Sequence, residues 1–419
     1  MEKLLQIEKD SKRKHVFLNT IFLLTLAYLI FFHNIGSHLI LMFQLDFLIV
    51  IPFTLYYYRR YSGYYFNNLF IKNIFLIFIA ISLWNLVSII AGKYFTDYPT
   101  TFKGLSLSII YSTMLMYFVF GAILSIKSRN LNLQLVIRVV SIILITIVLI
   151  EYFNQGFANF LKYYYDVFDD IIQSNDPNKF RLIGTLRNSN NLGLMSIILL
   201  YLNLFNKGNW IFKAIVAVGF VIIIFLSGSR TAFVLLLFVG TYYLANIWTL
   251  RNVVVLVLIV AVMVIAVNSF FDIYSTVLFR RIENTELKYM FYTRQTYYWE
   301  DAIKIILEVP ITGIGRLGTE KFTVDNFYLN LTRTNGIVGL LLWIAFLYQT
   351  ISLSVRYYFT STNAKILLGT AIIVLTSSIT ADFYYSRFFY PLFMIIFGYY
   401  SYELLQEKNY FNKPKYKRT

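Results

Sequence analysis

Runs of about twenty mostly apolar residues recur along this chain, and they limit its fold more than any single motif does. A helix needs roughly 20 such residues to cross the hydrocarbon of a bilayer. The runs read as about twelve spans, over residues 16–32, 38–58, 70–91, 105–126, 133–152, 191–206, 210–227, 230–248, 252–270, 326–349, 364–381 and 387–405. They do not alternate with period two, which argues against a membrane β-barrel. Charged residues make up 14% of the 419 residues and hydrophobic ones 58%, with a mean hydropathy of +0.63. Soluble domains carry about 25% charged residues. A water-facing exterior cannot be built from so few, so lipid must solvate most of the surface. The expected fold is all-α: a polytopic membrane helical bundle forming one integral domain over residues 1–419.

The net charge of +16 raises the question of a nucleic-acid partner, and its distribution answers against one. Arg59, Arg60, Lys72, Lys127, Arg129, Lys207, Lys213, Arg251, Arg356 and Lys365 lie in or beside the short loops after the even-numbered spans. Basic short loops stay in the cytoplasm, which places both termini there. The tail over 406–419, with Lys408, Lys413, Lys415, Lys417 and Arg418, fits a contact with anionic lipid. The first span follows Lys9, Lys12, Arg13 and Lys14 without a small-residue cleavage site and is read as retained. There is no cysteine, the three histidines stand apart from carboxylates, and no Walker-type loop occurs. Neither a metal nor another cofactor is expected.

With that topology the segments 153–190 and 271–325 become large extracytoplasmic loops. They hold arginines that the positive-inside rule does not account for: Arg181, Arg187, Arg280, Arg281, Arg294 and Arg316. Three polar stretches, "GTLRNSNNLG" (184–193), "SGSRT" (227–231) and "TVDNFYLN" (323–330), each precede a span running from outside to inside. Each therefore sits at a helix N-terminus, where unpaired N–H groups favour anions. Ser229 or Thr231, Asn188 or Asn190, and Asp325 are the natural caps.

Arg230 has two readings, an arginine snorkelling to the headgroups or a ligand whose planar fork of donors matches a phosphate. Glu151 closes the fifth span and reads as an interface marker. "GIG" (313–315) reads as a turn, "NLT" (330–332) falls in a helix, and "RQTYYWEDAIKII" reads as an amphipathic outer helix.

In this order, "RLIGTLRNSNNLG", "LSGSRTAF", "YTRQTYYWEDAIKIILEVPITGIGRLG" and "VDNFYLNLTRTNGIVGLLLW" resemble the Wzy-type polysaccharide polymerases and the related O-antigen ligases. The resemblance covers about residues 181–345. It implies a GT-C-like fold in a bacterial cell membrane and a glycosyltransferase that polymerises undecaprenyl-pyrophosphate-linked oligosaccharide repeats on the outer face. The partners implied are that lipid-linked substrate and the bilayer, with a chain-length regulator and a flippase as further candidates. An O-antigen-type ligase and a transporter of lipid-linked sugars are the alternatives. The resemblance matches Arg230 to the family's arginine at the head of a span and Arg294 to one in the large loop. The negative charge that builds on a departing pyrophosphate makes both candidates to stabilise it. Asp325, proposed as the general base, stands with Asn326 where the ligases usually carry a histidine–asparagine pair, and this departure favours the polymerase. Arg181, Arg187, Asn190, Ser229, Asn326 and Tyr328 complete the expected substrate contacts.

Overall fold

The structure, a computed structural model, describes residues 20–21, 24–25, 50–56, 68–98, 105–127, 133–164, 182–186, 188–205, 209–246, 299–315, 324, 326–379 and 389–411. Regular structure among them is helical, as expected. In chain order the helices are α1 (Leu69–Phe95), α2 (Leu105–Lys127), α3 (Leu133–Phe153), α4 (Gln155–Tyr164), α5 (Ser189–Phe205), α6 (Trp210–Ser227), α7 (Arg230–Asn246), α8 (Glu300–Glu308), α9 (Phe327–Arg356), α10 (Thr362–Ser377) and α11 (Phe389–Phe411). Five of these, α1, α2, α3, α6 and α9, are long and apolar enough to cross a membrane, while α5, α7 and α10 are shorter apolar helices. The span expected over 252–270 lies outside the described residues.

The chain divides into two compact units. One takes Met1–Leu18, Asp46–Leu131 and Phe291–Thr419, and so contains α1, α2 and α8 to α11; the other takes Asn19–Leu45 and Asn132–Met290, with α3 to α7.

In the first unit α2 and α11 touch backbone to backbone. A Cβ on Gly121 would strike the Ile395 carbonyl, and one on Gly398 the Phe118 carbonyl. Helices in lipid gain little from burying apolar surface against each other, so close van der Waals approach at small residues takes over. Ser125 Oγ adds a hydrogen bond to Glu403 Oε1 at 2.9 Å.

Helices α1 and α9 run antiparallel. Phe78 packs on Phe346 with ring centroids 5.0 Å apart, and the Trp84 indole donates to the Asn335 carbonyl at 2.9 Å. The sequence reads residues 326–349 as one unbroken span, and here the structure differs. Gly336 has φ 64 and ψ −173, which breaks α9. In a continuous helix the carbonyls of residues 333, 334 and 335 would take N–H groups four residues on. Instead Arg333 O accepts from Ile314 N–H at 3.0 Å, Thr334 O from Gly315 N–H at 2.8 Å, and Asn335 O from Trp84. Past the break, the Ile337 N–H finds Pro310 O at 2.8 Å. The "VPITGIG" loop and the Trp84 indole thus take up the bonds that the broken helix loses, as buried backbone requires.

Helix α8 leads into that loop. Its Ile305 packs with Ile314, Val309 and Tyr98, and the Tyr98 hydroxyl donates to Glu308. Desolvation, that hydrogen bond and the charges of Glu308 and Asp301 push the Tyr98 hydroxyl up to about 12.

The second unit is built around α5, which is buried along most of its length. Asn203 Nδ2 donates to Ser141 Oγ of α3 at 2.8 Å, and the Lys213 ammonium of α6 donates to the Leu204 carbonyl at 2.8 Å. Helix α4, inside the segment expected as a long loop, starts on an Asn154 cap that accepts from the Phe157 N–H at 3.0 Å. Its Leu161 packs on Ile183.

Candidate functional site

The "SGSRT" stretch is a helix-to-helix corner. α6 ends at Ser227, and Gly228 follows in the left-handed region with φ 60 and its N–H on Phe225 O at 3.0 Å. Ser227 Oγ accepts the Ser229 N–H at 3.3 Å, and Ser229 Oγ accepts the Ala232 N–H at 3.4 Å. Ser229 is therefore the buried N-cap of α7, and Arg230, half-buried, is its first helical residue.

The "GTLRNSNNLG" stretch meets this corner. A Cβ on Gly193 would lie 2.8 Å from the Cβ atoms of both Ser229 and Ala232, so the start of the second turn of α5 rests directly on the corner. α5 has its own cap, with Asn188 Oδ1 accepting the Asn190 N–H at 2.7 Å. Asn190 itself is exposed. Two helix N-termini thus lie beside each other, each with N–H groups directed out of its first turn. This is the arrangement that concentrates positive potential for an anion.

A carboxylate holds the approach to α5. Glu151, 1% exposed at the end of α3, accepts the Ile183 N–H on Oε1 at 3.0 Å and the Gly184 N–H on Oε2 at 2.8 Å. Leu182 N–H reaches the Leu226 carbonyl at 3.4 Å, tying the same turn to the end of α6. Glu151 is more than an interface marker, and the sequence reading missed this: a lone acid closing an apolar run was the available signal. Arg181 and Arg187, which flank this turn in the chain, lie outside the described residues.

In the first unit Asn326 is the N-cap of α9, accepting the Leu329 N–H at 3.1 Å. Phe327 N–H and the Tyr328 hydroxyl are both taken up by α10, on Ser378 O and Leu375 O, each at 2.9 Å. The Tyr328 hydroxyl therefore ties α9 to α10. Two turns farther, Arg333 is 3% exposed, and its Nη2 donates to Asn330 Oδ1 at 2.6 Å. A buried arginine just before a break in a helix long and apolar enough to cross a membrane is a functional candidate by its cost alone. It went unremarked in the sequence, although "TRTNG" puts an arginine and the turn-forming pair Asn335–Gly336 inside an apolar stretch. Arg294 and Asp325 lie outside the described residues.

Residues 214–344 match the O-antigen ligase family model. Over those residues the chain is similar to the O-antigen ligases. That region contains the α7 corner, α8 and the broken part of α9, and it agrees with the resemblance to the ligase/polymerase superfamily read from the motifs. The turn held by Glu151 and the start of α5 precede it. No curated protein matches the chain.

Proposed function

We propose that this protein is a membrane glycosyltransferase that polymerises undecaprenyl-pyrophosphate-linked oligosaccharide repeat units on the outer face of a bacterial cell membrane. The observation that carries the reading is the corner at Ser229–Arg230, where an arginine opens α7 close to the N-terminal end of α5 at Gly193. The match of residues 214–344 to the O-antigen ligases supports the same donor chemistry.

In this reaction a hydroxyl of the incoming lipid-linked repeat attacks the anomeric carbon of the growing chain. The bond from that carbon to the pyrophosphate breaks, and undecaprenyl pyrophosphate departs with the electron pair. Negative charge grows on the leaving group, so fixed cations and N–H groups aimed at it lower the barrier. Arg230, with Ser229 and the N-termini of α5 and α7, takes this role here; Arg294, Arg181, Arg187 and Asn190 are the further ligands proposed. Asp325 accepts the proton of the attacking hydroxyl, and Asn326 and Tyr328 fix the helix start that follows it.

The family description favours a second reading, transfer of the finished glycan to another acceptor, as a ligase does. Purified protein in liposomes with its lipid-linked repeat unit separates the two. A ladder of lengthening chains supports the polymerase, and Asp325→Asn should abolish it. No ladder with a competent substrate, but transfer once an acceptor is added, would replace it with the ligase.

A further inference from the structure

α8 has three faces. At 3.6 residues per turn, Ala302, Ile305 and Ile306 share one side, and these pack into the protein. Glu300, Asp301, Lys304 and Glu308 share another, and all four are exposed. Between the packed side and the charged side lie Ile303 and Leu307, 38% and 76% exposed, and Ile311 just beyond the helix is 61% exposed.

This apolar stripe does not stop at the loop. The Ile337 N–H bond to Pro310 O places Ile311 beside the point where α9 resumes. From there Ile337, Leu341, Ile344 and Tyr348 continue at helical spacing, all exposed, on a helix long and apolar enough to cross a membrane. A surface that faces acyl chains along α9 thus runs on into α8. The orientation is fixed, because Tyr98 holds Glu308, and Arg333 O and Thr334 O hold the Ile314 and Gly315 N–H groups.

We propose that α8 is immersed in the bilayer, in the leaflet where α9 begins. Ile303, Leu307 and Ile311 lie among the acyl chains, and Glu300, Asp301, Lys304 and Glu308 lie at the headgroups. The order of faces supports lipid as the occupant. An interfacial helix sets an apolar sector against a charged one at the acyl boundary, whereas a helix in water has no use for large apolar side chains on its second face. Residues 300–311, expected from the sequence as part of an extracytoplasmic loop, are then a membrane element.

The absence of cysteine makes the test direct. Single variants Leu307→Cys, Lys304→Cys and Leu341→Cys are spin-labelled in the full chain and reconstituted in liposomes. Collision rates with oxygen, which concentrates in lipid, and with a water-soluble nickel chelate are then compared. The expected result is an oxygen-to-nickel ratio at 307 that matches 341 and exceeds 304 several-fold. A ratio at 307 equal to that at 304 and below 341 would place the stripe in water. Shielding of the label at 307 from both reagents would mean that protein covers it. Either of these outcomes overturns the proposal, and neither depends on enzymatic activity.

Discussion

Glu151 and Gly184 are joined by the shorter of the two backbone hydrogen bonds that this buried carboxylate accepts, 2.8 Å against 3.0 Å for Ile183. The pair fixes the turn from which the chain enters α5 beside the Ser229–Arg230 corner. A buried N–H left without an acceptor costs about 1–3 kcal/mol. Glu151→Ala abandons two, so its unfolding free energy should fall by roughly 2–6 kcal/mol. Glu151→Gln keeps one acceptor oxygen and should fall about half as far. Thermal unfolding of the purified variants in detergent checks this order. A Glu151→Ala protein as stable as wild type would show that water or other groups serve the turn equally well.

Gly336 and Gly240 should respond to alanine with opposite signs. Gly336 holds φ 64 and ψ −173, and a Cβ there would overlap the Ile311 carbonyl. Backbone strain of this kind alone costs about 1–3 kcal/mol, and the clash would also push the 309–315 loop out of the break. Gly240 lies inside α7 with nothing within 4 Å of a built Cβ. There alanine should stabilise by about 0.5–1 kcal/mol, the ordinary helical difference. Melting temperatures of the two variants measured side by side decide the matter; a Gly336→Ala protein melting with Gly240→Ala would mean that the break is not needed.

Tyr98 gives a pH dependence. Its folded-state value of about 12 is raised above the ordinary 10.0. Because the neutral hydroxyl is the favoured form in the folded state, its contribution is fully present below about 10 and is lost as pH rises through about 12. Tyr98→Phe should flatten the decline in stability over that window, and Glu308→Gln should weaken it, since the carboxylate supplies both the acceptor and a charge. Unfolding midpoints between these two pH values check it. Equal slopes in wild type and Tyr98→Phe would remove the Tyr98–Glu308 clasp from the balance.

Helix positions were legible because apolar runs of spanning length have few alternatives in lipid. Trp210–Ser227 matches the expected span at both ends, since Asn209 caps one end and Gly228 closes the other. The corner at Ser229–Arg230 was legible for the same local reason. What was not legible depends on partners distant in sequence. Whether residues 326–349 bend at Asn335–Gly336 is decided by the "VPITGIG" loop and Trp84, which supply the bonds that the break costs. Glu151 looked ordinary because its two donors lie 32 and 33 residues away. The meeting of "GTLRNSNNLG" with "SGSRT" follows from Gly193 lying against Ser229, a tertiary contact that no local pattern encodes.

Arg230 yields the most direct test of the proposed chemistry. It opens α7 half-buried, on a corner whose backbone is held by Ser227, Gly228 and Ser229. Expression and melting of Arg230→Ala are measured beside wild type, so that a loss of folding is separated from a loss of rate. If the guanidinium stabilises the departing pyrophosphate, its loss should cost about 2.7–4 kcal/mol of barrier, a 10²–10³-fold fall in rate. Arg230→Lys keeps the charge but loses the planar fork that fits phosphate oxygens, so it should recover only a small part of that loss. Initial rates of chain lengthening in liposomes, with protein level matched, make the comparison. Full activity in Arg230→Ala would return this arginine to a snorkelling role at the headgroups. Full activity in Arg230→Lys with loss in Arg230→Ala would mean that charge alone, and not the paired geometry, acts on the leaving group.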